Sequence, residues 1–223
     1  MEHKNDFTNG GVLRSLIQFA IPVLAALFLQ SLYGGVDLLV VGQFAETVDV
    51  SGVATGSLLM HTVTMFITGL SMGITVFVGQ RIGEKRPEDA GRGIGAGIVL
   101  FVLMSIIISI LLVVFTGNLA HVLHAPEEAF KQTCDYIFVC GVGTVFIVFY
   151  NLLGAIFRGI GDSKTPLLTV FIACVFNIIG DLVFVAGLGL GAKGAALATV
   201  MAQAVSVLIS LIIILRKPLP FVF

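Results

Sequence analysis

The chain has 223 residues, of which 57% are hydrophobic and only 11% charged, and its formal net charge is −1. A soluble globular domain carries roughly 25% charged residues, so the composition excludes a soluble enzyme and a disordered chain. Twelve Lys and Arg against thirteen Asp and Glu leave no basic footprint for nucleic acid.

A polar segment, Met1–Arg14, precedes six apolar stretches: Ser15–Val41, Gly52–Gly79, Gly93–Phe115, Tyr136–Phe157, Pro166–Gly187 and Gly194–Leu215. Each reaches the roughly 20 residues that a transmembrane helix needs. Runs such as Ile106–Ile107–Ile108 lack the alternation of a barrel strand. The first stretch is too long for a signal-peptide core. The sequence therefore predicts an all-α, polytopic membrane protein with a bundle of six transmembrane helices. Its parts are a cytoplasmic N-terminal segment (1–14), the six-helix lobe (15–215) and the start of a cytoplasmic linker or C-terminus (216–223).

Lys and Arg partition unevenly between the two sides. One side holds Lys4, Arg14, Arg81, Lys85, Arg86, Arg92, Arg158, Lys164, Arg216 and Lys217, and the other only Lys131 and Lys193. By the positive-inside rule both termini are expected in the cytoplasm, with the lobe surrounded by lipid in the cell membrane.

Glycines recur within the spans. Gly69 and Gly73, Gly93 and Gly97, and Gly187 and Gly191 are spaced to let helix backbones approach. No Walker A sequence is present, so ATP is not expected to drive this chain. Cys134, Cys140 and Cys174 are odd in number and lie in or beside apolar stretches, which suggests neither a disulfide framework nor a zinc site. Pro22 sits inside the first span, where it removes a backbone hydrogen bond and favours a kink or a hinge.

Ionisable groups within a span are costly and usually face a cavity or a partner. Asp37 in span 1 and Asp181 in span 5 qualify, and Asn177 lies one helical turn before Asp181 on the same face. The helical rise places Asp37, Asp181 and Thr199 roughly 6–9 Å inside the outer ends of their spans. Tyr136 opens span 4 from that same side. If these residues meet, two carboxylates and neutral oxygens form a hard-cation or proton site, because two close carboxylates in low dielectric cannot both easily ionise. Asp37, Asn177 and Asp181 would then be the metal ligands for Na⁺. Gln30 and Gln203 are candidates for lining a cavity or for joining helices. His61 is expected to be hydrogen-bonded within span 2. His121 and His124 fall in the loop between spans 3 and 4 near Glu127 and Glu128, where a solvated loop is favoured over a metal site. No arrangement of a catalytic triad is evident, so no enzyme is expected.

The segments Ile21–Pro22, Val36–Asp37, Phe157–Arg158–Gly159–Ile160–Gly161–Asp162–Ser163–Lys164–Thr165–Pro166, Asn177–Ile178–Ile179–Gly180–Asp181 and Gly191–Ala192–Lys193–Gly194 resemble the multidrug and toxic compound extrusion (MATE) transporters. The resemblance covers essentially the whole chain but only half of that family's architecture of two six-helix lobes. It implies an N-terminal lobe of the prokaryotic, DinF-like branch. It further implies antiport without a cofactor, in which Na⁺ or H⁺ enters and an amphipathic organic cation leaves. By motif, the coupling-cation site of that lobe falls on Asp37, Tyr136, Asn177, Asp181 and Thr199, and its hinge on Pro22. The partner would be a C-terminal lobe or a second copy of the chain. A lipid-linked oligosaccharide flippase of the wider superfamily is the alternative, disfavoured because every Arg and Lys lies near a span end or in a loop. A non-transporting assembly subunit is a third reading, at odds with the in-span carboxylates.

Overall fold

The computed structural model describes Val12–Arg216. Lys4, Lys217 and the segment from Pro218 lie outside the described residues, so the flanking parts 1–11 and 217–223 stay expectations. Among the described residues eight α-helices follow one another: α1 (Val12–Phe44), α2 (Thr47–Gly83), α3 (Pro87–Val114), α4 (Thr116–Val122), α5 (Phe130–Val142), α6 (Thr144–Gly159), α7 (Lys164–Asp181) and α8 (Gly191–Arg216). A 3₁₀ turn, Glu127–Ala129, precedes α5, and a π-helical segment, Leu182–Gly187, prolongs α7. No strand occurs among the described residues.

Five of these helical stretches are long and apolar enough to cross a membrane, and the pair α5–α6 supplies a sixth span bent by 54°. The six predicted spans are therefore present, but the fourth is not one helix from Tyr136 to Phe157. It starts earlier and breaks at Gly143. The break has a packing cause: a side chain at Gly143 would run into Val200 of α8. One at Gly141 would lie 2.9 Å from Leu112 of α3. Carbonyls near the break find donors, as membrane burial demands. Ser109 donates to the Gly141 carbonyl at 2.8 Å and Thr144 to that of Cys140 at 3.0 Å.

Local signals explain the other boundaries. Pro87 opens α3, where its missing N–H is no loss, and Glu88 and Asp89 favour that positive helix end. Asp162 caps α7 by accepting from the Thr165 N–H at 2.9 Å and the Lys164 N–H at 3.1 Å. α8 is capped from a distance. Asp49, in the first turn of α2, accepts from the Ala192 N–H at 2.9 Å, and Gly191 leaves the room for it at φ +51°. α1 runs unbroken through Pro22.

Packing is tightest where side chains are smallest, as expected without a hydrophobic force between helices in lipid. Ala192, Ala195, Ala196, Ala198 and Ala202 of α8 are buried, and a methyl added at Gly180 of α7 would lie 2.9 Å from the Ala198 side chain. Gly93 and Gly97 likewise pack against Phe77 and Ile74 of α2, whereas Gly69 and Gly73 meet nothing within 4 Å. Large apolar side chains cover the outside, among them Leu24, Phe28, Met65, Phe66, Ile107 and Phe171. An all-round apolar surface of this kind suits a lipid environment. From Leu13 to Ala25 no residue of α1 is fully buried, although Phe19, Ala20, Pro22, Val23 and Ala25 are half-buried, so the first half of that helix packs loosely.

Candidate functional site

Three helices bring four of the predicted residues together. Asp37 comes from α1, Asn177 and Asp181 from one face of α7, and Thr199 from α8. Asp37 is 5% exposed, Asn177 1% and Asp181 0%. The Thr199 hydroxyl donates to Asp37 Oδ2 at 3.1 Å and accepts from Asn177 Nδ2 at 3.3 Å. The Asp37 and Asp181 carboxyls face one another within hydrogen-bonding reach. The Gly180–Ala198 contact, one residue before each of Asp181 and Thr199, holds α7 and α8 close enough for this.

Its chemistry is one-sided. Asp37 Oδ1, Asn177 Oδ1 and both oxygens of Asp181 are buried without a hydrogen-bond donor. A buried acceptor without a partner is destabilising by roughly 1–3 kcal/mol, and by more when charged. Four such oxygens converge here, and no Lys, Arg or His among the described residues reaches them. What the cluster lacks is positive charge, and a shared proton or an oxygen-ligated cation would supply it. Asp37, Asn177 and Asp181 are the side chains that could ligate Na⁺.

Tyr136 is placed differently from the other four. Its ring is 4% exposed and packs on Gly56 of α2, where a methyl would lie 2.6 Å from the ring. It neighbours Asp37 and Asp181 but hydrogen-bonds neither. Because α5 begins at Phe130, Tyr136 lies well inside its helix rather than opening the span. Pro22 is about 22 Å from Asp37 along α1 at the α-helical rise. Gln30 joins helices, donating to the Tyr150 hydroxyl of α6 at 2.6 Å. Gln203 is buried, and its Oε1 has no donor.

Two neighbours escaped the sequence reading. Tyr33 lies one turn before Asp37 and faces both Asp37 and the Gln203 amide. Its spacing of four from Asp37 was the available signal. Cys140 is buried beside Asp37 and Tyr136, and its spacing of four from Tyr136 within α5 puts the two on one face.

The histidines stand apart. His61 is exposed and makes no hydrogen bond among the described residues, contrary to expectation. His121 belongs to the short helix α4 rather than a loop, and its ring lies 4.6 Å from that of Phe130. His124 follows the helix at φ +53°. Both line an open pocket of about 590 Å³ with Glu127. No group of three or more His, Cys, Asp or Glu suited to a metal ion occurs among the described residues.

The chain matches the MatE family model over residues 22–183. It is 29% identical to a probable multidrug resistance protein, YpnP, of Bacillus subtilis, over 97% of this chain and 49% of that protein. Its fold superposes on a MOP superfamily transporter from Pyrococcus furiosus with a TM-score of 0.84 at 25% identity, covering 90% of this chain and 44% of that one. A MATE P26A mutant matches with a TM-score of 0.89 at 22% identity over 100% of this chain and 50% of the other, a likeness of fold alone. The chain thus spans about half the length of the curated relatives it matches. These relatives, several named multidrug export proteins, do not favour the flippase alternative. The chain belongs to the MATE family of multi-pass membrane transporters, not to an enzyme family, and corresponds to one six-helix lobe.

Proposed function

We propose that this lobe is the ion-coupling half of a cation-driven exporter of amphipathic compounds. The observation that carries the reading is the cluster of four buried, donorless oxygens on Asp37, Asn177 and Asp181. A coupling ion does work only if occupied and empty sites favour different conformations. The oxygens of the site come from α1, α7 and α8, so a cation draws the three helices together and its departure leaves acceptors that repel. α1 is the element suited to respond, because from Leu13 to Ala25 it has no fully buried residue and contains Pro22, the proposed hinge. Tyr136 and Tyr33 would wall the site, and Gln30 and Gln203 the adjoining cavity.

On this reading Na⁺ or H⁺ enters and an organic cation leaves. The lobe works with a C-terminal lobe or with a second copy, in the cell membrane, with both termini cytoplasmic. The ten Lys and Arg assigned to one side, against two on the other, support that orientation. The test is reconstitution of the chain in liposomes, alone and with a full-length MATE C-lobe, followed by efflux of a cationic dye under imposed Na⁺ and pH gradients. Efflux that follows one gradient and is lost in Asp181→Asn supports the reading and names the ion. Unimpaired ion-driven efflux by Asp181→Asn overturns it.

A further inference from the structure

The inner polar stripe of α6 is separate from the carboxylate cluster. Tyr150, Gly154 and Arg158 are spaced by four and share one face. An arginine near the end of a span ordinarily extends toward the headgroups, so that its stem lies in apolar surroundings and its charge in water. Arg158 does the opposite. It lies one residue from the C-terminus of α6, yet its side chain folds back along the helix. Its Nη1 sits 3.2 Å from where a methyl on Gly154 would be, and its electrostatic neighbour is Tyr150. The guanidinium is therefore aimed away from the connecting loop and into the span.

Among the described residues it has no polar partner there. Arg158 is half-buried and makes no hydrogen bond or ion pair among the described residues. The carboxylate nearest in sequence, Asp162, caps α7 instead. The Tyr150 hydroxyl is tied to Gln30 of α1, which fixes the far end of the stripe. Arg158 lies eight residues beyond Tyr150, about 12 Å along α6. The matching stretch of α1 around Pro22 is at most half-buried, so α1 covers this face incompletely. A guanidinium offers five donors in a planar fork that matches a carboxylate or phosphate.

We propose that Arg158, held back along α6 by the space at Gly154 and flanked by the Gln30–Tyr150 pair, is an oxyanion site for the acidic group of an amphipathic substrate. This rests on the export reading and refines it: the lobe recognises amphipaths that carry a carboxylate or phosphate besides any positive charge. The carboxylate cluster handles the coupling ion, and Arg158 handles the substrate's anionic end.

The experiment compares two rhodamine dyes that differ in one group, a free carboxylic acid and its methyl ester. Binding to the purified chain in neutral detergent is followed by fluorescence anisotropy. The wild-type protein is expected to prefer the acid, and Arg158→Gln to weaken acid binding about tenfold while leaving the ester unchanged. Gly154→Ala, which keeps the charge but crowds the guanidinium, is expected to weaken the acid selectively too and stands in if Arg158→Gln does not fold. Displacement of the acid dye by phosphatidylglycerol in the wild type, absent in Arg158→Gln, would also support the site and identify a lipid phosphate as a source of its oxyanion. An acid-to-ester ratio unchanged in both variants overturns the proposal. Asp37→Asn separates this result from the coupling reading, since it should remove the Na⁺ or pH dependence of binding and leave the acid preference intact.

Discussion

The Thr199 hydroxyl of α8 donates to the Asp37 carboxylate of α1 across 3.1 Å, although the two residues are 162 positions apart in the chain. Through the same oxygen Thr199 accepts from Asn177 of α7. One hydroxyl thus links the three helices that carry the candidate ion site.

Thr199→Val removes that link and keeps the volume. Ion affinity, read by isothermal titration of Na⁺ or by the gradient dependence of efflux, is expected to fall about tenfold, consistent with the loss of one hydrogen bond to a charged group. Thr199→Ser should restore most of it, which a purely steric role for the methyl would not allow.

Asp181→Asn should separate stability from coupling. The variant supplies an amide donor beside Asp37 and removes one of two facing buried carboxyls. The thermal midpoint in detergent is expected to rise, by an amount equivalent to about 1 kcal/mol or more, while ion-dependent transport disappears. A lowered midpoint with intact coupling would contradict the account of the cluster.

Asp49 and Gly191 form a capping pair between α2 and α8. Asp49→Ala should destabilise the lobe by about 1 kcal/mol, the usual loss on removing an N-cap acceptor. Asp49→Asn, which keeps an oxygen acceptor, should lose less. Gly191→Ala should be worse than a cap loss, because the new methyl collides with the Asp49 carboxylate at a positive φ. Thermal unfolding of the three variants ranks them.

The bend of the fourth span rests on Gly143 facing Val200. Gly143→Ala is expected to destabilise by about 1–3 kcal/mol through overpacking. The double variant Gly143→Ala, Val200→Ala should recover much of that, since it frees the space that the new methyl needs. Additive losses in the double variant would show that the bend has another cause.

Much of the architecture was legible along the chain. The six apolar stretches and the in-span carboxylates are local features, and local chemistry decides them. Asn177 and Asp181 could be put on one face from their spacing alone, and both are buried together in α7. Tyr33 could have been found by the same rule, being one turn from Asp37. The break in the fourth span could not, because it depends on Val200 and Leu112, which belong to helices remote in sequence. His121 was misplaced for a similar reason: α4 is a short helix whose histidine leans on Phe130 of α5 rather than a solvated loop.

By itself, then, the sequence determined a helical membrane lobe and which polar residues fall within its apolar stretches, because hydropathy needs no knowledge of neighbours. Only the tertiary structure decided that Asp37, Asn177, Asp181 and Thr199 meet while Tyr136 stands beside them, and that Arg158 folds into the span. Those outcomes depend on the rotation of each helix about its own axis. That rotation is set by small-residue contacts such as Gly180–Ala198 between helices, which no single apolar stretch encodes.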